Sequence, residues 1–299
     1  MLNGRKFLSI FILGITSFVL LLSVSIPIAF KTKAHVPYTL AKTTEQFTDS
    51  GQLGKWSLPA NGIVAKLVSA KPGTILLNFS GDGADRNYRF QVTRDPKKSN
   101  SCIVTIAIDN TLWKRMIDPD PLDDMVIKST KNLEIITNNT TLFYGYPIYK
   151  STITDSTYLY ISTVIKPAQK TTGTQKLFDS LFQFARSHKI NNPGKRIFSS
   201  QAIGEAELRI FAGIVINSKA TTNPATGITV KKMRPGKTLL VADFKGKYKD
   251  VGDAYKALEQ YKRDYQLASM EMPFEEFQTP GNSYTPEDSV MVKVCYPIY

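Results

Sequence analysis

An internal repeat constrains this chain more than any other feature. "LFDSLFQFARSHKI" (177–190) superposes on "AYKALEQYKRDYQL" (254–267). This sets Leu177 on Ala254, Phe178 on Tyr255, Leu181 on Leu258, Phe184 on Tyr261 and Ile190 on Leu267. Apolar positions near i, i+4 and i+7 mark the core face of an amphipathic helix. The same offset carries "IFSSQ" (197–201) onto "FEEFQ" (274–278). A strand-like run precedes each helix, "YLYISTVIK" and "KTLLVADFK", and another closes each copy, "LRIFAGIVI" and "VMVKVCYPI". Each copy therefore reads strand–helix–strand–strand, and such units bury their apolar faces against one another. The expectation for 150–299 is a pseudo-twofold βαββ domain. Two helices cover one sheet face, and the opposite, concave face forms a groove where the copies meet, a usual place for a ligand.

The second copy holds an anomaly. Glu275 and Glu276 stand side by side between Phe274 and Phe277, where the first copy has Phe198 and Ser199, so the fold itself does not require an acid there. Adjacent strand residues point to opposite faces, so one of the two acids is expected in solvent or on a lysine. A carboxylate facing an apolar hollow is costly unless something positive meets it. Glu275 and Glu276 are thus candidate ligand-binding residues for a cation, with Tyr248, Tyr255 and Phe277 as aromatic wall. No serine–histidine–acid set can be assembled, and no catalytic residue is assigned. His188, in "RSHK", reads as a helix C-terminal partner. "GKYKDVGD" lacks the P-loop pattern and reads as helix N-terminal capping, and "GDGAD" (81–85) as a hairpin turn.

Two stretches of the second copy carry a family pattern: "MRPGKTLLVADFKGKYKDVGDAYKALEQY" and "MPFEEFQTPGNSYTPEDSVMVKVCYPI". Its parts are a Pro-Gly-Lys lead into a strand, a G-x-Y before the helix, an aromatic–Glu–x–aromatic strand, a P-E-D loop and a closing Y-P-I strand. The pattern resembles the GyrI-like small-molecule-binding domain, also the effector-binding domain of AraC- and MerR-type bacterial regulators. The resemblance implies a twofold βαββ domain that binds bulky, often cationic, hydrophobic molecules. It also implies a glutamate facing the pocket at Glu275, with Phe277 on the same strand face. The family often has tyrosine where Phe277 stands, so this chain lacks a donor that the hydrolytic relatives would use.

Ahead of the repeat, Arg5 and Lys6 precede an uncharged run from Phe7 to Phe30. About 20 apolar residues suffice to cross the ~30 Å hydrocarbon core. A cleaved signal has a shorter apolar core and a small-residue site, which the exit "IPIAFKTKAH" lacks. Residues 1–33 are therefore expected to form a single-pass transmembrane anchor. The lysines and arginines on its two sides nearly balance, and the short tail favours a cytoplasmic N-terminus with the domains outside. Residues 36–148 read as a small strand-rich α+β domain, with strands in "GTILLNFSGD", "NYRFQVTRD" and "SCIVTIAID", a helix in "TTEQFTDSGQLGKWSLP" that sets Trp56 under a sheet, a loop at "DPDPLDD" and a strand in "LFYGYPIYK". Its start resembles the helix-grip fold of START-like lipid and polyketide binders.

The net charge of +13 is scattered, and there is no helix-turn-helix, finger or basic helix, so nucleic acid is not an expected partner. Two cysteines, Cys102 and Cys295, and two histidines are too few for a zinc set. No metal or cofactor is expected. A Cys102–Cys295 disulfide is possible, but both cysteines sit in β-like runs and read as small apolar residues. The α+β chain is expected to be a membrane-anchored small-molecule-binding or sensing protein. The alternatives are a hydrolase using a pocket glutamate and a structural envelope protein with a filled groove.

Overall fold

The structure, a computed structural model, describes residues 11–17, 27–57, 63–81, 83–111, 120–154, 157–190, 194–216, 227–281 and 284–299. The chain divides into two compact units, 1–139 and 140–299.

The first unit is a five-stranded antiparallel sheet with helices. Its strands are β1 (Pro27–Val36), β2 (Val64–Lys71), β3 (Thr74–Gly81), β4 (Ala84–Arg94) and β5 (Cys102–Thr111), in spatial order β1-β5-β4-β3-β2. Helices α1 (Leu40–Thr48) and α2 (Ser50–Trp56) follow β1, and α3 (Pro121–Asn138) follows β5. Trp56 is buried as expected, edge-on to Phe47 and to Phe90 of β4, and its indole N–H donates to the Gln46 carbonyl at 2.9 Å.

Three expectations need correction in this region. The expected anchor extends to residue 33, but Pro27–Val36 is a strand paired along β5. The cause is the alternation in "FKTKAHV": Lys31 and Lys33 are exposed, while Ala34 and Val36 are buried. Most of the expected span, residues 1–10 and 18–26, lies outside the described residues. No helix among the described residues is long and apolar enough to cross a membrane. Residues 11–17 are helical, with Phe11, Ile12, Leu13 and Ile15 exposed. The "DPDPLDD" loop is in part the start of α3. Asp120 caps it by accepting from the Leu122 N–H at 2.9 Å, Pro121 occupies the first turn, and Asp123 and Asp124 face the positive helix end. The run "LFYGYPIYK" splits into a short helix, α4 (Thr140–Tyr144), a turn at Gly145 with φ 83°, and β6 (Ile148–Thr152).

The second unit builds the repeat into one sheet. The first copy gives β7 (Thr157–Ile165), α5 (Lys170–Ser187), β8 (Arg196–Ile203) and β9 (Glu207–Val215). After the edge strand β10 (Thr229–Lys232), the second copy gives β11 (Thr238–Lys247), α6 (Val251–Asp264), β12 (Phe274–Phe277) and β13 (Ser289–Ile298). A 3₁₀ turn leads into each helix, at Pro167–Gln169 and at Tyr248–Asp250. The spatial order β10-β7-β9-β8-β12-β13-β11-β6 is a mirrored arrangement whose seam is the antiparallel pair β8–β12.

Both helices pack on one face. Leu177, Phe178, Leu181 and Phe184 of α5 and Ala254 and Leu258 of α6 share a core with Phe198, Phe277, Val292 and Val294 of the sheet. A smaller apolar cluster, including Ile197, Val241, Phe274 and Cys295, lies on the other face. Both cysteines are free and buried in strands, Cys102 in β5 and Cys295 in β13.

Gly213 of β9 sits opposite Ile197 of the seam strand, and a Cβ there would stand 2.9 Å from Ile197 Cγ1. Ile197 is β-branched and stiff, so Gly213→Ala is expected to cost roughly 1–3 kcal/mol through overpacking. Urea unfolding followed by fluorescence checks this, and an unchanged midpoint would contradict it.

Candidate functional site

The site grows from the alternation of β12. Phe274 and Glu276 point to the face without helices, Glu275 and Phe277 to the helix face. Glu275 pairs across the seam with Phe198, the residue that occupies its own position in the first copy. One buried carboxylate thus stands at the junction of the two halves, facing an aromatic ring where symmetry would have placed a second acid.

Glu275 is only 2% exposed, and both of its oxygens are engaged. The Tyr248 hydroxyl donates to Oε2 at 2.9 Å and the Tyr255 hydroxyl to Oε1 at 3.1 Å. Tyr248 comes from the 3₁₀ turn after β11 and Tyr255 from the first turns of α6, so the G-x-Y stretch and the helix it opens deliver both donors. Burial is the main cause that pushes the Glu275 carboxyl above the usual carboxylate range; the charge of Lys170 and the two phenols oppose it. The phenols in turn are held well above the ordinary tyrosine range, first by burial and then by the neighbouring carboxylate. They remain neutral donors at physiological pH.

A cavity of about 710 Å³ opens beside this carboxylate. The starts of both helices border it: Pro167, Lys170 and Thr171 from the first copy, Tyr248, Lys249 and Tyr255 from the second. Ser200, Pro273, Tyr284 and Pro286 complete much of the wall. The volume falls within the ~300–1,000 Å³ of small-molecule pockets. The P-E-D loop is fastened to the rim, because Glu287 bridges Lys247 and Lys249, each at 2.8 Å. The Tyr248 and Lys249 N–H groups donate to the Asp288 and Pro286 carbonyls, both at 2.9 Å.

The five expected residues separate. Glu275, Tyr248 and Tyr255 meet at the cavity. Glu276 does not: it faces the other side of the sheet, accepts from Gln278 at 2.9 Å, and lies 3.6 Å from Lys195. Phe277 shares the face of Glu275 but is sunk in the core against Phe178, Phe198, Tyr248 and Tyr284, with ring centroids 4.9–6.3 Å apart. The groove was expected on the face opposite the helices. The cavity lies instead on the helix face, because the helices cover the outer strands and their N-terminal ends leave the seam open. Lys170, which no sequence motif marks, also reaches the site: its Nζ lies 5.2 Å from the Tyr248 ring centroid and 5.4 Å from that of Phe198. So does Tyr284, which packs 5.9 Å from Tyr248.

Other expectations resolve simply. His188 caps the C-terminus of α5, its Nδ1 3.0 Å from the Phe184 carbonyl and its ring stacked on Phe184. Asp250 makes no side-chain cap at α6; the 3₁₀ turn takes that place. Gly83, with φ 78°, turns the hairpin between β3 and β4. A larger hollow of about 900 Å³ lies in the first unit, but its buried acid is already held. Asp123 accepts from Arg86 at 2.8 Å and from Tyr88 at 2.6 Å, which fastens α3 to β4.

The solved structures similar to part of this chain include the following. The crystal structure of the EcmrR C-terminal domain is 12% identical, covering 52% of this chain and 98% of that one with a TM-score of 0.42. The crystal structure of a hydrolase from Listeria innocua is 10% identical, covering 51% and 91% with a TM-score of 0.39. The structure of SAV2435 bound to tetraphenylphosphonium is 12% identical, covering 51% and 94% with a TM-score of 0.34. No family model and no curated protein matches the chain.

The raised proton affinity of Glu275 has a signed consequence. The folded chain holds this proton more tightly than the unfolded chain, so the group stabilises the fold at low pH. That contribution is lost as pH rises from the ordinary carboxylate range through the raised folded value. Glu275→Gln is therefore expected to flatten the fall in melting temperature over that window, and Tyr255→Phe, which removes a donor, to steepen it. Thermal unfolding of the three proteins across a pH series checks this; three parallel curves would contradict it.

Proposed function

We propose that residues 140–299 form a GyrI-like small-molecule-binding domain, and that the junction cavity takes a bulky hydrophobic cation. The observation that carries this reading is the Glu275 carboxylate. It is 2% exposed, held by two phenols, and set in the wall of an open cavity. An ionised acid is costly in such a place, and a ligand cation would offset that cost. The duplicated strand–helix–strand–strand order, the P-E-D loop at the rim and the aromatic wall all support the resemblance drawn from the sequence. A groove filled by the protein's own aromatics, as a purely structural role would have it, would leave no room of this size.

Tetraphenylphosphonium is a suitable probe because it is cationic, apolar and lacks hydrogen-bond donors. A unit charge pair at 4 Å and an effective dielectric near 20 is worth about 4 kcal/mol before desolvation is subtracted. Glu275→Gln is therefore expected to weaken equilibrium binding of tetraphenylphosphonium to the 299-residue chain by roughly tenfold or more. Glu276→Gln, on the other face of the sheet, is expected to leave it within about twofold. Equal affinities for wild type and Glu275→Gln would remove the electrostatic basis of the proposal.

A second reading is hydrolysis of a small electrophile, favoured by a buried acid with tyrosine hydroxyls on both oxygens. It requires turnover that disappears in Glu275→Gln, and the absence of a hydroxyl at Phe277 argues against it. The apolar run that starts at Phe7, four of whose residues expose large side chains on the 11–17 helix, supports a place for the chain at a membrane. In that case the chain stays with the membrane pellet after carbonate washing, whereas its release into the supernatant would exclude an integral anchor.

A further inference from the structure

Two lysines line the junction cavity, and they are not equivalent. Lys249 is tied by its ammonium to Glu287 at 2.8 Å, on the rim. Lys170, the first residue of α5, has no ion-pair partner among the described residues. Its ammonium lies instead over two aromatic faces, 5.2 Å from the Tyr248 centroid and 5.4 Å from the Phe198 centroid. Those rings flank Glu275: Tyr248 donates to it, and Phe198 is its partner across the seam. Lys170 is near enough for its charge to favour the ionised carboxylate, yet makes no hydrogen bond to it.

We infer that Lys170 is an internal competitor for the cation site: its ammonium occupies the aromatic position that a ligand cation would take, and it must swing out for the ligand to enter. The inference rests on the cation-binding reading of this cavity and adds what sets its affinity. A cation drawn over Tyr and Phe faces gains from the ring quadrupoles, and only one cation fits over those faces at a time. A second positive charge entering beside an undisplaced ammonium would also be repelled, so both effects tax the ligand. The lysine stem is long and flexible, with a partly buried base at the cavity edge, so rotation about its side-chain torsions carries the charge into solvent. The device gives selectivity. A bulky apolar cation recovers the tax by covering the rest of the wall, whereas a small cation such as ammonium or a lone amine does not.

The test compares wild type, Lys170→Met and Lys170→Arg in tetraphenylphosphonium titrations of the 299-residue chain, with Glu275→Gln as a control for the site. Met keeps the apolar stem and removes the charge; Arg keeps the charge. The expected result is that Lys170→Met binds about tenfold more tightly, one displaced cation–π contact pair, while Lys170→Arg stays within about twofold of wild type. If wild type binds through Glu275 and Lys170→Met binds no more tightly, the competitor role is overturned and the cation site stands. If none of the proteins binds the probe, the cation site itself falls and the competitor role falls with it.

Discussion

A single carboxylate removed from water at the seam of two half-sheets is the constraint around which the second unit is arranged. Glu275 has to be accommodated on the side of the sheet where Phe178, Leu181, Phe198 and Leu258 build the core. The fold meets that demand with one phenol on each oxygen, from Tyr248 and Tyr255. Both donors lie at the start of the second copy's helix, so the position of that helix and the state of the acid are linked. The first copy has no such need, because its equivalent residue is Phe198, and the start of its helix brings Lys170 to the cavity.

This asymmetry within a near-symmetric frame is what gives the cavity a direction. Glu275 lies on the second copy's strand, and Tyr248 and Phe198 each neighbour both it and the Lys170 ammonium. The loop at the rim is fastened by exposed ion pairs from Glu287 to Lys247 and Lys249, which are solvated and screened by salt. The cavity floor is rigid by comparison, being β8 and β12 paired in the centre of an eight-stranded sheet.

Much of this was legible in the sequence, for identifiable reasons. The repeat fixed the order of elements, because two copies of an apolar pattern with a period near 3.6 are hard to produce by chance. Period-two alternation placed Glu275 and Phe277 on one face and Glu276 on the other. What escaped was tertiary. Nothing in "FEEF" says that Phe277 packs against four rings while its neighbour two residues back faces a cavity. Lys170 reads as an ordinary solvated lysine at a helix start; only the folded seam brings Phe198 and Tyr248 beneath it. The side of the sheet that opens is not legible in the sequence, because a helix is expected to seal the face it covers, whereas here the helix starts part over the seam. In the first unit, α3 escaped because Pro119 and Pro121 suggested a loop, though Pro121 with Asp120 before it is a helix start. The end of the apolar run escaped because hydropathy continues into β1, where alternation rather than composition marks the strand.

If a cation binds beside Glu275 as proposed, it competes there with a proton that burial makes harder to remove. Calorimetric titration of tetraphenylphosphonium into the 299-residue chain, across a pH series that starts in the ordinary carboxylate range and rises from it, and in buffers of differing ionisation enthalpy, measures this directly. The account predicts that the apparent enthalpy varies with the buffer, reporting a proton leaving Glu275 as the cation binds, and that this variation is absent in Glu275→Gln. Binding with the same enthalpy in every buffer, or with the same proton release after Glu275→Gln, would contradict it.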